Sequence, residues 1–238
     1  MSTAVQTAWP GVRFGAIGEA WRLYRRHWTV WTMTALVALL CALVGSGLAA
    51  ALLGVAGHGP LGMFIGFQDS GAPLLSVLVT CAIVGFFLGG MTRMAVNQVR
   101  GRRPRLEDLF TVTDVWFDLV LGSVLLGLFL TIGMSLLVLP ALVVGGLFMF
   151  VIPLIVDGRL PATGAMIQSF EATKSQWLLA TVVHLAMLVA LILGGILFLI
   201  GIPLYALSVA VLYRDLVLNP YSPAWGKPHA PYDEFEAQ

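Results

Sequence analysis

His184 is the one ionisable side chain that the sequence sets deep inside a long apolar run, in TVVHLAML. A group of that kind in apolar surroundings is a candidate for proton transfer or ligand binding. No carboxylate lies at helical spacing from it, so a relay or a metal site would need partners from other segments; otherwise it is a structural, hydrogen-bonded histidine. Arg93 in GMTRMAV and Asp118 in VWFDLVL stand near the ends of apolar runs, where they can pair with each other. Singly, Arg93 can carry its charge to water along its stem, and Asp118 can open a solvated helix. The nucleophile-elbow, HExxH, P-loop, CxxC and Rossmann glycine patterns are all missing. No catalytic, metal or cofactor residues are therefore expected, and the chain reads as a non-enzyme. Cys41 and Cys81 lie within apolar runs and read as buried small hydrophobes without a disulfide.

The segments that must position these groups are dictated by composition. Of 238 residues, 59% are apolar, 11% are charged and 26 are glycine. A soluble domain carries about a quarter charged residues, so the expected class is an all-α, polytopic membrane bundle. A hydrocarbon layer of about 30 Å needs about 20 residues of helix. Uncharged runs of that order begin at Trp28 and Pro73. The stretch 119–156 carries no charge along 38 residues; as one helix it would reach about 57 Å, so it must fold back, with Pro140 marking the bend. The run 178–213 behaves likewise, with Gly201 and Pro203 at its bend. Six spans follow, at about 28–53, 73–99, 118–138, 141–156, 178–200 and 202–217, within one membrane domain over residues 1–218.

Six crossings that start in the cytoplasm leave all 13 Lys and Arg on the cytoplasmic side or at its boundary. The opposite loops hold only His58 and Asp69 as titratable groups. This is the asymmetry of the positive-inside rule, and it puts both termini in the cytoplasm. Residues 1–27 carry four arginines ahead of a long first run, so that run reads as a retained anchor and not as a cleaved signal. The net charge of +1 offers no basic surface large enough for nucleic acid.

Phe14, Ile17, Trp21, Tyr24 and Trp28 recur at spacings of three and four, which predicts an interfacial helix over 13–27 with Arg22, Arg25 and Arg26 on other faces. At an offset of 149 residues, Met166, Phe170, Thr173 and Trp177 repeat the pattern, giving a second such helix at about 162–176 that carries Lys174. A third, at about 104–116, is opened by Pro104, presents Leu106, Leu109, Phe110, Thr113 and Phe117, and follows Arg102, Arg103 and Arg105. Trp28 and Trp177 belong at the polar boundary, and the nearby cations suit lipid headgroups, anionic ones included. The two copies are separated by an even number of crossings, so the repeat is parallel, unlike the inverted repeats of many transporters. Gly85 and Gly89 form a GxxxG pair, and Gly47 with Ala51 a looser one, for close helix packing. A stripe of this kind left exposed would dock a second copy or another membrane protein. Residues 219–238 form a Pro- and aromatic-rich cytoplasmic tail.

The stretches GMTRMAVNQVRGRRPRLEDLF, PLIVDGRLPATGAMIQSFEATKSQW and PLYALSVAVLYRDL resemble the signature regions of a poorly characterised group of bacterial multi-pass membrane proteins. That group is related to the membrane domain of some glycerophosphodiester phosphodiesterases. The resemblance covers about residues 14–218 and implies a six-helix domain in the bacterial inner membrane; it brings no activity, because the phosphodiesterase's catalytic domain has no counterpart here. The expected function is that of a scaffold or accessory subunit in envelope assembly or maintenance. The alternative is a transporter or lipid-handling permease, which predicts a polar cavity where His184, Thr80, Ser123 or Ser135 converge. A lipid-modifying enzyme would need titratable groups to meet near the boundary.

Overall fold

A computed structural model describes residues 12–52, 74–193 and 198–218, and every element within them is helical. The expectations for the loop holding His58 and Asp69, for the side chains of Thr80 and Cys81, and for the tail fall outside the described residues. The elements are α1 (Gly15–Arg26), α2 (Trp28–Leu52), α3 (Leu74–Val99), a 3₁₀ segment (Leu106–Val115), α4 (Trp116–Leu136), α5 (Val138–Leu147) and α6 (Val151–Val156). They continue with α7 (Ala162–Thr173), a 3₁₀ turn (Lys174–Gln176), α8 (Trp177–Leu193), α9 (Phe198–Tyr213) and a closing π turn (Arg214–Leu218). Five stretches are long and apolar enough to cross a membrane: Trp28–Gly45, Leu106–Leu136, Val138–Val156, Ala162–Leu191 and Leu199–Leu218. The outer surface is apolar, as Met33, Leu40, Val44 and Leu48 on α2 illustrate. The core runs between helices, and α3 is its hub, packed against α2, α4, α6 and α9.

Several boundaries differ from the sequence reading. The first hairpin turns at Leu137, whose extended backbone separates α4 from α5, and Pro140 sits three residues on, in the opening turn of α5. A first turn needs no amide donor from that residue, so proline is tolerated there. The turn is tight because Gly133 faces the Ala141 backbone; an added Cβ would come within 2.8 Å of Ala141 Cα. Pro203 lies inside α9 and marks no bend. Gly201 lets α9 approach α8 closely, since its Cβ would stand 3.2 Å from Leu191 Cα.

The segment after Pro104 is a 3₁₀ helix. Its side chains repeat every three residues, so Leu109 and Val112 are buried while Phe110 is exposed. The uninterrupted fourth span is in fact two helices, α5 and α6, parted at Phe148–Phe150. Cys41 is a free, exposed thiol on α2 and not a core residue. Gly47 and Ala51 are also exposed, and a Cβ added at Gly47 would meet none of the described residues.

The 149-residue repeat is built in three dimensions, on a buried face that shares Tyr24 and Thr173 with the aromatic pattern. The buried residues of α1 are Ala16, Ala20 and Tyr24; the buried residues of α7 include Ala165, Ser169 and Thr173, the same three positions plus 149. The matching aromatics face outward, with Trp28 58% and Trp177 49% exposed and Trp21 and Phe170 alike. Small residues let each short helix lie close on its neighbours, α1 on α9 and α7 on α6.

Glycine sets the spacing of α3. At Gly85 a Cβ would strike Ser123, at Gly89 the flexible Leu119 side chain, and at Gly90 the backbone of Leu109. A backbone carbonyl cannot turn aside. We therefore expect Gly90→Ala to cost about 2–3 kcal/mol as an overpacked site and Gly89→Ala less, with Gly47→Ala neutral. Thermal unfolding in detergent checks the order, and equal midpoints for the three variants would contradict it.

Candidate functional site

The ionised side chains of the described residues fall in four segments, 13–26, 93–118, 157–174 and 214–215. The folded chain gathers these segments at one end. Asp157 is their junction: its carboxylate takes a two-pronged bond from Arg100 at 2.6 and 2.8 Å and a third from the Tyr213 hydroxyl at 3.1 Å. Its side chain is only 10% exposed, and such charge-assisted, forked bonds are among the stronger polar contacts. Arg100, Asp157 and Tyr213 come from three segments far apart in the sequence, and all three converge on one carboxylate.

Arg93 is bonded within the protein, and its partner is not Asp118. It grips Asp114 at 2.8 and 3.1 Å, donates to the carbonyl of Val156 at 2.8 Å, and also bonds the Thr111 carbonyl. This ties α3 to the 3₁₀ segment and to the end of α6. Arg159, in a left-handed backbone turn, adds a second cation to Asp114 at 3.5 Å. Asp118 instead accepts the amide of Ala162 at 3.1 Å, which fixes the start of α7 against α4. Glu19 on α1 holds Arg214 and Arg13, and Asp215 holds Arg13 in turn. The hydrogen bond from Arg214 is the largest influence that keeps the Glu19 carboxyl below its ordinary 4.5; burial opposes it and the two positive charges reinforce it.

A second set of cations has no such partners. Arg22, Arg25, Arg26, Arg102, Arg103 and Arg105 are exposed and form no ion pair with any described residue. Gln98 brings their two segments together: its amide donates to the Leu23 carbonyl at 2.9 Å and accepts from the buried Trp31 indole at 2.6 Å. Beyond it α3 ends on Gly101, left-handed at φ 85°, with Arg102 N–H returning to the Asn97 carbonyl at 3.0 Å. That cap is what sends Arg102 and Arg103 outward. Lys174 is paired with Glu171 on the same helix.

His184 lies in the interior, 7% exposed, with Nδ1 3.4 Å from the Tyr205 hydroxyl. Its Nε2 flanks Gly145, where any Cβ would overlap the ring. The pair lines a cavity of about 80 Å³ whose walls are otherwise mostly apolar. So His184 neither bonds a backbone carbonyl nor meets Ser123 or Ser135, whose hydroxyls return to carbonyls on their own helix. Beside the cavity, the break at Phe148–Phe150 is closed by α7. Ser169 donates to the Leu147 carbonyl at 2.8 Å and accepts from Phe150 N–H at 3.2 Å, and Thr173 adds a bond of 2.9 Å to Leu147. An interrupted helix at depth is tolerable only when its backbone is satisfied by protein in this way.

The sequence reading missed Asp157, Tyr213, Gln98, Asp114 and Tyr205. One signal was available for the first: Asp157 precedes Gly158 in a short charged turn between apolar runs, and Gly158 has room for no side chain against the Leu154 carbonyl. Asp157→Ala should lower stability by about 2–3 kcal/mol, because it removes the buried carboxylate that accepts the forked bond from Arg100 and a bond from Tyr213; Asp118→Ala should cost about 1 kcal/mol as a lost cap. Denaturation in detergent would contradict this ranking if Asp118→Ala were the more damaging. Comparison with protein-family models, with curated proteins and with solved structures gives no match to this chain. Its functional reading therefore rests on the geometry.

Proposed function

We propose that this chain is a non-catalytic integral membrane protein of the bacterial inner membrane, a scaffold or accessory subunit in envelope assembly or maintenance whose cytoplasmic face contacts lipid headgroups. The observation that carries the reading is the division of arginines into a paired set that locks helices together and an unpaired set of six displayed on two adjoining segments. A solvent-exposed cation that holds none of the described residues suits a partner such as a lipid headgroup.

Six crossings are reached by adding α3, 26 residues long with only Arg93 charged, to the five apolar stretches. Then α1 and α7 lie at the cytoplasmic boundary, with Trp21, Trp28, Phe170 and Trp177 at the level where amphipathic rings are most stable. Both ends of the described chain share that side. A second reading, a permease for a small or amphiphilic substrate, draws on the interrupted helix beside the His184 cavity.

Native mass spectrometry of the full chain in nanodiscs of mixed phosphatidylglycerol and phosphatidylcholine tests the favoured reading. Each cation near an anionic surface contributes about 1 kcal/mol, so changing Arg22, Arg25 and Arg26 to Gln should cut the retained anionic lipid at least about fivefold. Retention equal to the parent chain would remove the headgroup role.

A further inference from the structure

The wall of the interior cavity carries a proton that no described residue accepts. Neutral His184 has one ring hydrogen and Tyr205 one phenolic hydrogen, and the contact between Nδ1 and the hydroxyl uses one of them. If Tyr205 donates, the ring hydrogen sits on Nε2. If His184 donates, the phenolic hydrogen is left over. In either tautomer one donor finds no acceptor among the described residues, with His184 buried and Tyr205 partly buried. A donor left without an acceptor in apolar surroundings is destabilising.

The remaining lining restricts what can supply the acceptor. Leu88, Leu126, Leu130 and Phe148 present hydrocarbon, and the Thr92 hydroxyl donates to the Leu88 carbonyl at 2.8 Å while its oxygen accepts from neither His184 nor Tyr205 among the described residues. A volume of about 80 Å³ would take two or three waters at about 30 Å³ each, but every water needs two to four polar partners. One polar corner cannot satisfy a cluster of them. An oxygen on a short hydrocarbon body fits both parts of the wall.

We propose that this cavity binds a small neutral molecule with a single hydrogen-bond acceptor, such as a carbonyl oxygen, set against His184 and Tyr205 with its carbon body against Leu88, Leu126, Leu130 and Phe148. Those four apolar residues are partly exposed, so the mouth opens on the flank of the bundle. Under the proposed topology that flank faces acyl chains, and the ligand arrives from the bilayer; binding itself does not depend on that topology. The site is independent of the exposed arginines.

Butanone and its hydrocarbon isostere, in which methylene replaces the oxygen, are the probes, titrated into the full chain in nanodiscs with unfolding followed by tryptophan fluorescence. Butanone should raise the midpoint in a saturable way, and the isostere should need at least tenfold more for the same shift. The double variant H184L/Y205F should lose the discrimination between them. Equal potency of the two probes in the parent chain, or discrimination that survives in the double variant, overturns the proposal. Should that variant not fold, the carbonyl stretch of bound butanone decides: a shift to lower frequency relative to butanone in protein-free nanodiscs supports a hydrogen bond to the pair, and an unshifted band rejects it.

Discussion

Arg100, Asp157 and Tyr213 come from three parts of the chain that are far apart in sequence, and the carboxylate between them is where α3, α6 and α9 are held in register. A hydrocarbon-embedded bundle gains little from hydrophobic burial between its helices, because the surrounding tails are as apolar as the side chains. Register must then come from close packing and from polar contacts. This chain supplies the first through Gly85, Gly89 and Gly90 on α3 and the second at one end, where Arg93, Asp114 and Asp157 bind the segments that follow each hairpin. Confining those bonds to one end leaves the apolar lengths free of charge, as a bilayer would demand.

The two short helices that repeat at 149 residues work within that frame. Each turns a small-residue face toward the bundle and an aromatic edge away from it. Their duties have since diverged. Tyr24 in α1 reaches Thr32 in the helix that follows, at 3.0 Å, while Ser169 and Thr173 in α7 use the equivalent face to satisfy an interrupted helix. Without those two hydroxyls the Leu147 carbonyl would be a bare acceptor in the interior, so α7 stabilises the break that borders the His184 cavity.

Much of this was legible in the sequence, because composition and charge placement answer to the solvent and not to details of packing. The apolar runs, the fold-back of 119–156, the ionised segments and the repeat could all be read from residue type and spacing. Turns were harder. Proline marks where a helix is permitted to begin as readily as where it must end, so Pro140 pointed three residues beyond the true turn at Leu137, and Pro203 marked none. A 3₁₀ helix and an α-helix share the same residues with different periods, and Leu106–Val115 was read at the wrong one. Partners were hardest of all. Arg93 had two carboxylates within reach at one helix end, and only the three-dimensional path of the 3₁₀ segment decides for Asp114 over Asp118.

Six crossings require the apolar hairpins to leave every Lys and Arg on one aqueous side. Single cysteines at positions 102, 174 and 69, placed in a chain whose own Cys41 and Cys81 are changed to Ser, can be labelled in sealed vesicles with a reagent that does not cross lipid. The account predicts that 102 and 174 react from the same side and 69 from the other; labelling of 102 and 174 from opposite sides would contradict it.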